Sequence, residues 1–311
     1  MTRPICILLL IYTSLILISS CTADSRAAEK DQNSGPLSQP GESVQERSGE
    51  QVVSGLKSET RNIHPSFELD YRELVKLTEG CPLPVRERIL RRPEYFLQLL
   101  QEALELPEWA LVLVDKEHSL PEGYAPEDLI GLKNYSLSLN RDTLQLSRSC
   151  MPDLLAMTEA ARMEGIELVY SSTYRDYAYQ KMLYEKYISS YGQEEADRFS
   201  ARPGTSQHQL GTAIDFGSIT PEFGNTDQGR WLFEHAWEYG FSLSYPEGME
   251  EITGYMFEIW HYRYITRTGT RLEREFFEGI QQYLTEFLHE NTPYLREHLI
   301  RKDTEKIDEE R

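Results

Sequence analysis

The sequence predicts an α+β fold, and three observations predict it. Apolar residues recur at helical spacing in several segments that close on glycine, short runs rich in β-branched and aromatic residues lie between them, and the two kinds do not alternate as regular βαβ units. Between Leu69 and Leu106, Tyr71, Leu74 and Val75 and then Tyr95, Leu97, Leu99 and Leu100 carry the helical spacing. Leu111–Val114 is short, branched and apolar, and is expected to be a buried strand. From Pro152 to Gly165 the side chains of Leu154, Leu155, Met157, Ala161 and Met163 define a helix, with Gly165 where a helix end requires a positive φ. A strand is expected over Ile166–Tyr170. The next helix starts at Asp176, a good N-cap, and runs to Tyr191 with Gly192 as its stop. A further helix spans Gln228–Tyr239, closed by Gly240. Strands follow over Phe241–Tyr245 and over Phe257–Ile265, the latter on its aromatic and β-branched content. No repeat and no Gly/Ser linker interrupts Phe67–Ile300, so residues 67–300 are expected to form one domain with a helical N-terminal extension.

With 40% hydrophobic and 11% aromatic residues among 311, the chain can bury a sizeable core. Its 51 acidic residues outnumber 32 basic ones, for a net charge of −19, and no basic block offsets them. That balance excludes nucleic acid as a partner, because a polyphosphate selects a basic face. A mean hydropathy of −0.53 and a single long apolar run exclude a polytopic membrane protein, since each spanning helix needs about 20 mostly apolar residues.

That run, Ile5–Ile18, is uncharged, follows Arg3 and leads into Ser19, Ser20 and Cys21. It reads as a secretory signal peptide over residues 1–20 and is short for an uncleaved anchor. The small residues before Cys21 resemble a bacterial lipobox, which implies lipidation of Cys21 and a membrane-anchored, extracytoplasmic place in the bacterial cell envelope. Residues 21–66 hold no aromatic side chain and are rich in Ser, Gly, Gln, Glu and Pro, so they are expected to form a flexible tether. The polar tail 301–311 is expected to fray. Cys81 and Cys150 are the two cysteines of the folded region; in an oxidising compartment they can pair as a disulfide or stay as free thiols.

The chemistry is concentrated in SQHQLGTAID, Ser206–Asp215, and in EIWH, Glu258–His261. His208, Asp215 and His261 offer two imidazoles and a carboxylate, a set that gives zinc three protein ligands and leaves a fourth position open. Glu258 is then a carboxylate beside the metal that can take a proton. Singly, each has a plainer role: a lone buried histidine is usually structural, an aspartate caps or pairs, and a glutamate is usually solvated. The combination carries the reading. In a regular strand Glu258 and His261 would face opposite sides, so a bulge, bend or strand end is expected between them. Gly211 is expected to mark a tight turn that brings His208 and Asp215 to one side.

These two strings resemble the S-x-H-x-x-G-x-A-x-D and E-x-W-H patterns of VanY-type zinc D-alanyl-D-alanine carboxypeptidases, in the fold group that includes lysostaphin and the hedgehog signalling domain. LVLVDKEHSLPEGYAPEDL from Leu111, STYRDYAYQ from Ser172 and ITGYMFEIWHYRYI from Ile252 are similar to further segments of that family, and the resemblance extends over residues 109–267. It implies a small antiparallel sheet with helices packed on it, and one zinc ion on the sheet held by His208, Asp215 and His261. It also implies Glu258 as general base and later proton donor, Arg175 and Ser206 as partners of the substrate's terminal carboxylate, and Gln180 as a hydrogen-bond partner of its backbone. The implied activity is removal of the terminal D-alanine from peptidoglycan stem peptides, by a D,D or an L,D cut. A guanidinium fork suits recognition of a chain end. An endopeptidase of the same fold would find no carboxylate to clamp, and a non-catalytic zinc-containing binding module would not need Glu258. The sequence departs from the family pattern at Gln207 for Glu, Ile259 for Pro and Thr173 for Gly. His64, His118, His235, His289 and His298 are given no catalytic role.

Overall fold

The computed structural model describes residues 61–300. The expected signal peptide, Cys21, the tether up to residue 60 and the 301–311 tail lie outside the described residues.

Three helices come first: α1 (Tyr71–Leu77) and α3 (Pro93–Leu104) lie where the spacing predicts them, and α2 (Leu83–Arg91), which the spacing did not mark, lies between. Asp70 and Glu73 cap α1 reciprocally, each side chain accepting a backbone N–H of the other. Pro93 opens α3 at a position where no intrahelical N–H is needed. Leu111–Val114 is not the expected strand. Pro107 instead leads into a short helix, α4 (Glu108–Leu111), and Val112–Val114 continue as unpaired chain. Leu113 and Val114 are buried all the same, so the apolar run reports burial and not strand pairing.

Strands β1 (Leu129–Gly131), β2 (Ser138–Leu139) and β3 (Gln145–Ser147) follow, then helix α5 (Met151–Met163) with Gly165 at φ +78° beyond its end. Strand β4 (Val169–Ser172) lies a little later than expected. Helix α6 (Tyr177–Tyr191) is capped by Asp176 and stopped by Gly192, as read from the sequence. After α7 (Gln193–Phe199) come β5 (Ala213–Phe216), α8 (Asp227–His235), β6 (Phe241–Leu243), α9 (Glu250–Thr253) and β7 (His261–Tyr264). Two helices close the fold, α10 (Thr266–Phe276) and α11 (Gln281–Glu297).

The main sheet has the order β2-β4-β5-β7-β6, and β1 pairs with β3 apart from it. Its pairings are antiparallel except at one edge, where β2 runs parallel to β4. On β5 and β7 the period of two sorts side chains by face. Ile214, Phe216, Tyr262 and Tyr264 join a core that includes Leu154 and Met157 of α5 and Leu168 and Tyr170 around β4. Asp215 and His261 are register partners on the opposite face. Burying the apolar face therefore fixes which way the polar pair points.

A second core is wholly helical. Phe96 of α3 meets Phe276 of α10 and Phe287 of α11 edge-on, with ring centroids 5.1 and 5.7 Å away, and Leu74, Ile89 and Leu100 fill in around them. The N-terminal extension is thus the other half of the packing of the C-terminal helices. The two cores also separate the cysteines. Cys150 is buried among the sheet residues, Cys81 packs against the helical core, and both are free thiols, which corrects the disulfide alternative.

Glu273 of α10 is buried, with Ser242 of β6 donating a hydrogen bond of 2.7 Å to it. Burial pushes its carboxyl up from 4.5 to about 8. Between those values the folded chain keeps a proton that the unfolded chain has released, so stability falls as pH rises and levels off above about 8. Each pH unit inside that window is worth up to about 1.4 kcal/mol. Glu273→Gln keeps the acceptor and is expected to flatten this decline in urea unfolding measured from about pH 5 to about pH 8. An unchanged slope contradicts the assignment.

Candidate active site

Strand register supplies two of the site residues and a turn supplies the third. Asp215 on β5 faces His261 on β7. His208 sits in a single turn of 3-10 helix, Gln207–Leu210, where Ser206 Oγ accepts the His208 N–H at 3.3 Å. The turn ends at Gly211, φ +67°, and a Cβ there would come within 2.8 Å of Pro126 Cγ. Only glycine meets both conditions without strain. The expected reversal at Gly211 is present, and one ligand atom from each of His208, Asp215 and His261 lies within 4.8 Å of the others. Among the described residues no other group of this kind occurs.

The expected break between Glu258 and His261 is also present. Strand β7 begins at His261, whose N–H bonds back to the Glu258 carbonyl at 3.0 Å, so Glu258 precedes the strand on a turn. That turn returns the Glu258 carboxylate to the same side, with Oε2 3.7 Å from His261 Nδ1. Burial first and the Asp215 charge second hold Glu258 well above the ordinary glutamate value.

The hydrogen bonds of His208 test whether a cation fits. The Thr173 carbonyl lies 2.7 Å from His208 Nδ1 and can only accept, so that nitrogen carries the proton. Burial lowers the His208 pKa to about 4, which leaves the ring neutral near pH 7. Nε2 is then bare, buried and without a hydrogen-bond partner, yet it points at Asp215 Oδ2 from 3.2 Å. A lone pair aimed at a carboxylate repels it unless a cation lies between them. His261 Nδ1 approaches Asp215 Oδ1 from the other side at 3.0 Å, while its Nε2 lies 3.2 Å from Gln207 Oε1. Two imidazoles and one carboxylate converging in this way match the donor set of a catalytic zinc site.

The remaining expected residues border the same cleft of about 870 Å³. Arg175 follows β4, its Nη2 3.2 Å from Asp215 Oδ2 and its Nη1 donating to Gln180 Oε1 at 3.1 Å. Its buried Nε has no partner. Gln180, in the first turn of α6, also donates to the Ala201 carbonyl at 2.7 Å, so its amide orients Arg175. Ser206 lines the cleft beside His208. Sequence reading missed Tyr245, a buried ring 4.9 Å from that of His261. One tyrosine among 19 carries no signal of its own.

A small, mostly antiparallel sheet that presents a His/Asp/His donor set beside a half-buried glutamate defines a metallohydrolase site. Comparison with known proteins gives the family. The model of the VanY D-alanyl-D-alanine carboxypeptidases matches residues 143–267. YodJ of Bacillus subtilis, named as a carboxypeptidase, is 30% identical over 241 residues, 75% of this chain and 81% of that one. A D-alanyl-D-alanine carboxypeptidase of Enterococcus faecalis is 32% identical over 181 residues, 55% of this chain and 64% of that one. The solved structure of the LdcB LD-carboxypeptidase aligns with a TM-score of 0.52 at 30% identity, covering 58% of this chain and 86% of that one. The chain belongs to the VanY family of carboxypeptidases.

The purified protein is expected to retain one zinc ion per chain, and His208→Ala and Asp215→Ala to lose it, as read by elemental mass spectrometry after gel filtration. Zinc retained by both variants contradicts the ligand assignment.

Proposed function

We propose that the protein is a zinc carboxypeptidase that removes the terminal D-alanine from peptidoglycan stem peptides, by a D,D or an L,D cut. The observation that carries this reading is the convergence of His208, Asp215 and His261 with Glu258 and Arg175 in one cleft. The family's VanY model and the LD-carboxypeptidase likeness support the two kinds of bond.

Zinc held by His208, Asp215 and His261 would polarise the scissile carbonyl and acidify water to a pKa of about 7. The chain's own residues do the rest. Arg175 takes the substrate's terminal carboxylate, its guanidinium aligned by Gln180, and the partnerless Nε offers a further donor. In a protein of net charge −19 this is the local positive site that an anionic chain end needs. Ser206 Oγ can donate to the same carboxylate while still accepting from His208 N–H. Glu258 accepts a proton from the attacking water and returns it to the leaving D-alanine nitrogen. Its carboxylate, 3.7 Å from His261 Nδ1, stands on the metal side of the cleft for both transfers. The Arg175 clamp favours an exopeptidase over an endopeptidase, because an internal bond offers no terminal carboxylate.

The place of action follows from the N-terminus. Ile5–Ile18 with Ser19, Ser20 and Cys21 supports export and lipidation at Cys21, with a tether that ends earlier than the expected residue 66, since Ile63 donates to the Leu69 carbonyl at 3.0 Å and Ser66 accepts from Ile300 N–H at 2.8 Å. Among the described residues no helix is long and apolar enough to cross a membrane.

With stem peptides as substrate, loss of one alanine by mass is expected, and Glu258→Gln is expected to lower kcat by about 10²–10⁴-fold with zinc retained. Amidation of the peptide's C-terminus should abolish cleavage. Full activity in Glu258→Gln, or on the amidated peptide, contradicts the mechanism.

A further inference from the structure

We infer that Gln281 of the C-terminal helix α11 positions His261 for the metal through a buried ring of three side chains, an inference that rests on the zinc reading of the site. Gln207 Nε2 donates to Gln281 Oε1 at 3.0 Å, Gln281 Nε2 donates to Ser244 Oγ at 3.2 Å, and Ser244 Oγ donates to Gln207 Oε1 at 2.7 Å. All three residues are buried. The ring is closed and runs in one direction, each member giving a hydrogen bond to the next. The second lone pair of Gln207 Oε1 faces His261 Nε2 at 3.2 Å.

This direction decides which nitrogen of His261 is bare. An oxygen at Nε2 requires the proton there, so the Nδ1 lone pair faces Asp215 and is free to bind a metal. If the ring ran the other way, the Gln207 NH₂ would face Nε2, the proton would move to Nδ1, and that proton would bond Asp215 in place of the metal. A glutamine has two unlike ends and must be held in one rotation. A glutamate has two acceptors and presents an oxygen either way. Gln281 lies beyond residues 143–267 that match the family model. The structure therefore assigns Gln281 and Ser244 as the positioning residues that hold Gln207 with its oxygen toward His261.

The test is zinc affinity of the full chain by competition with a chromophoric chelator, in wild type, Gln281→Met and the double variant Gln207→Glu with Gln281→Met. Gln281→Met is expected to weaken zinc by about tenfold or more. Gln207→Glu in that background is expected to restore it, because the carboxylate needs no orienting partner. Zinc bound as in wild type by Gln281→Met, or a double variant as weak as the single one, overturns the inference. Ser244→Ala, with and without Gln207→Glu, is read in the same way should Gln281→Met unfold. A wild-type chain that binds no zinc overturns the metal reading itself, and so is distinguished from failure of the ring.

Discussion

Asp215 and His261 oppose each other across the β5–β7 pairing, and this register holds the site together. The alternate residues, Ile214, Phe216 and Tyr262, are locked in the apolar core, so a slip by one residue would bury the aspartate among them and expose the core face. The aspartate is the point on which the other side chains of the site converge. His208 turns a bare nitrogen toward it, Arg175 touches it, and Glu258 stands near enough for the Asp215 charge to raise its proton affinity. Cores on one face of the sheet and an electrostatic focus on the other are two products of one alternation.

The helical half of the molecule contributes less obviously. Helices α1 to α3 pack with α10 and α11 in the helical core. From α11, Gln281 reaches Gln207 and Ser244 under the sheet. The extension thereby bears on the site through packing: it seats the helix that carries Gln281. Arg263, buried on β7 two residues from His261, donates to the carbonyls of Trp109 and Ala110 in the short helix that leads from the extension into the sheet. These contacts tie the two cores together at the strand that bears a ligand.

Much of this was legible in the sequence because local signals and tertiary packing agree. Asp176, Gly192, Gly165 and Gly240 mark helix ends by their own backbone chemistry, and the structure uses each as read. The His208–Gly211–Asp215 spacing and the Glu258–His261 break were readable because metal geometry demands a turn and a strand end there. What was not legible depends on distance along the chain. Leu111–Val114 has the composition of a strand, but pairing needs a neighbour, and Pro107 had already committed the chain to a helix beside it. The parallel edge β2 is set by how residues 138–139 return to β4, which no local pattern reports. The apposition of Gln207 with Gln281 spans 74 residues, and neither glutamine stands out by type. Gln207 was visible only as a departure from the family pattern; its partner explains how the departure is accommodated.

The central claim is that two imidazoles and one carboxylate hold a single zinc ion with a position left for water or substrate. X-ray absorption at the zinc edge of the purified protein reads that shell directly. The account predicts two imidazole nitrogens and light oxygen scatterers at about 2.0–2.2 Å, with no sulfur. A sulfur shell at about 2.3 Å, or a closed shell of four protein ligands, would contradict it.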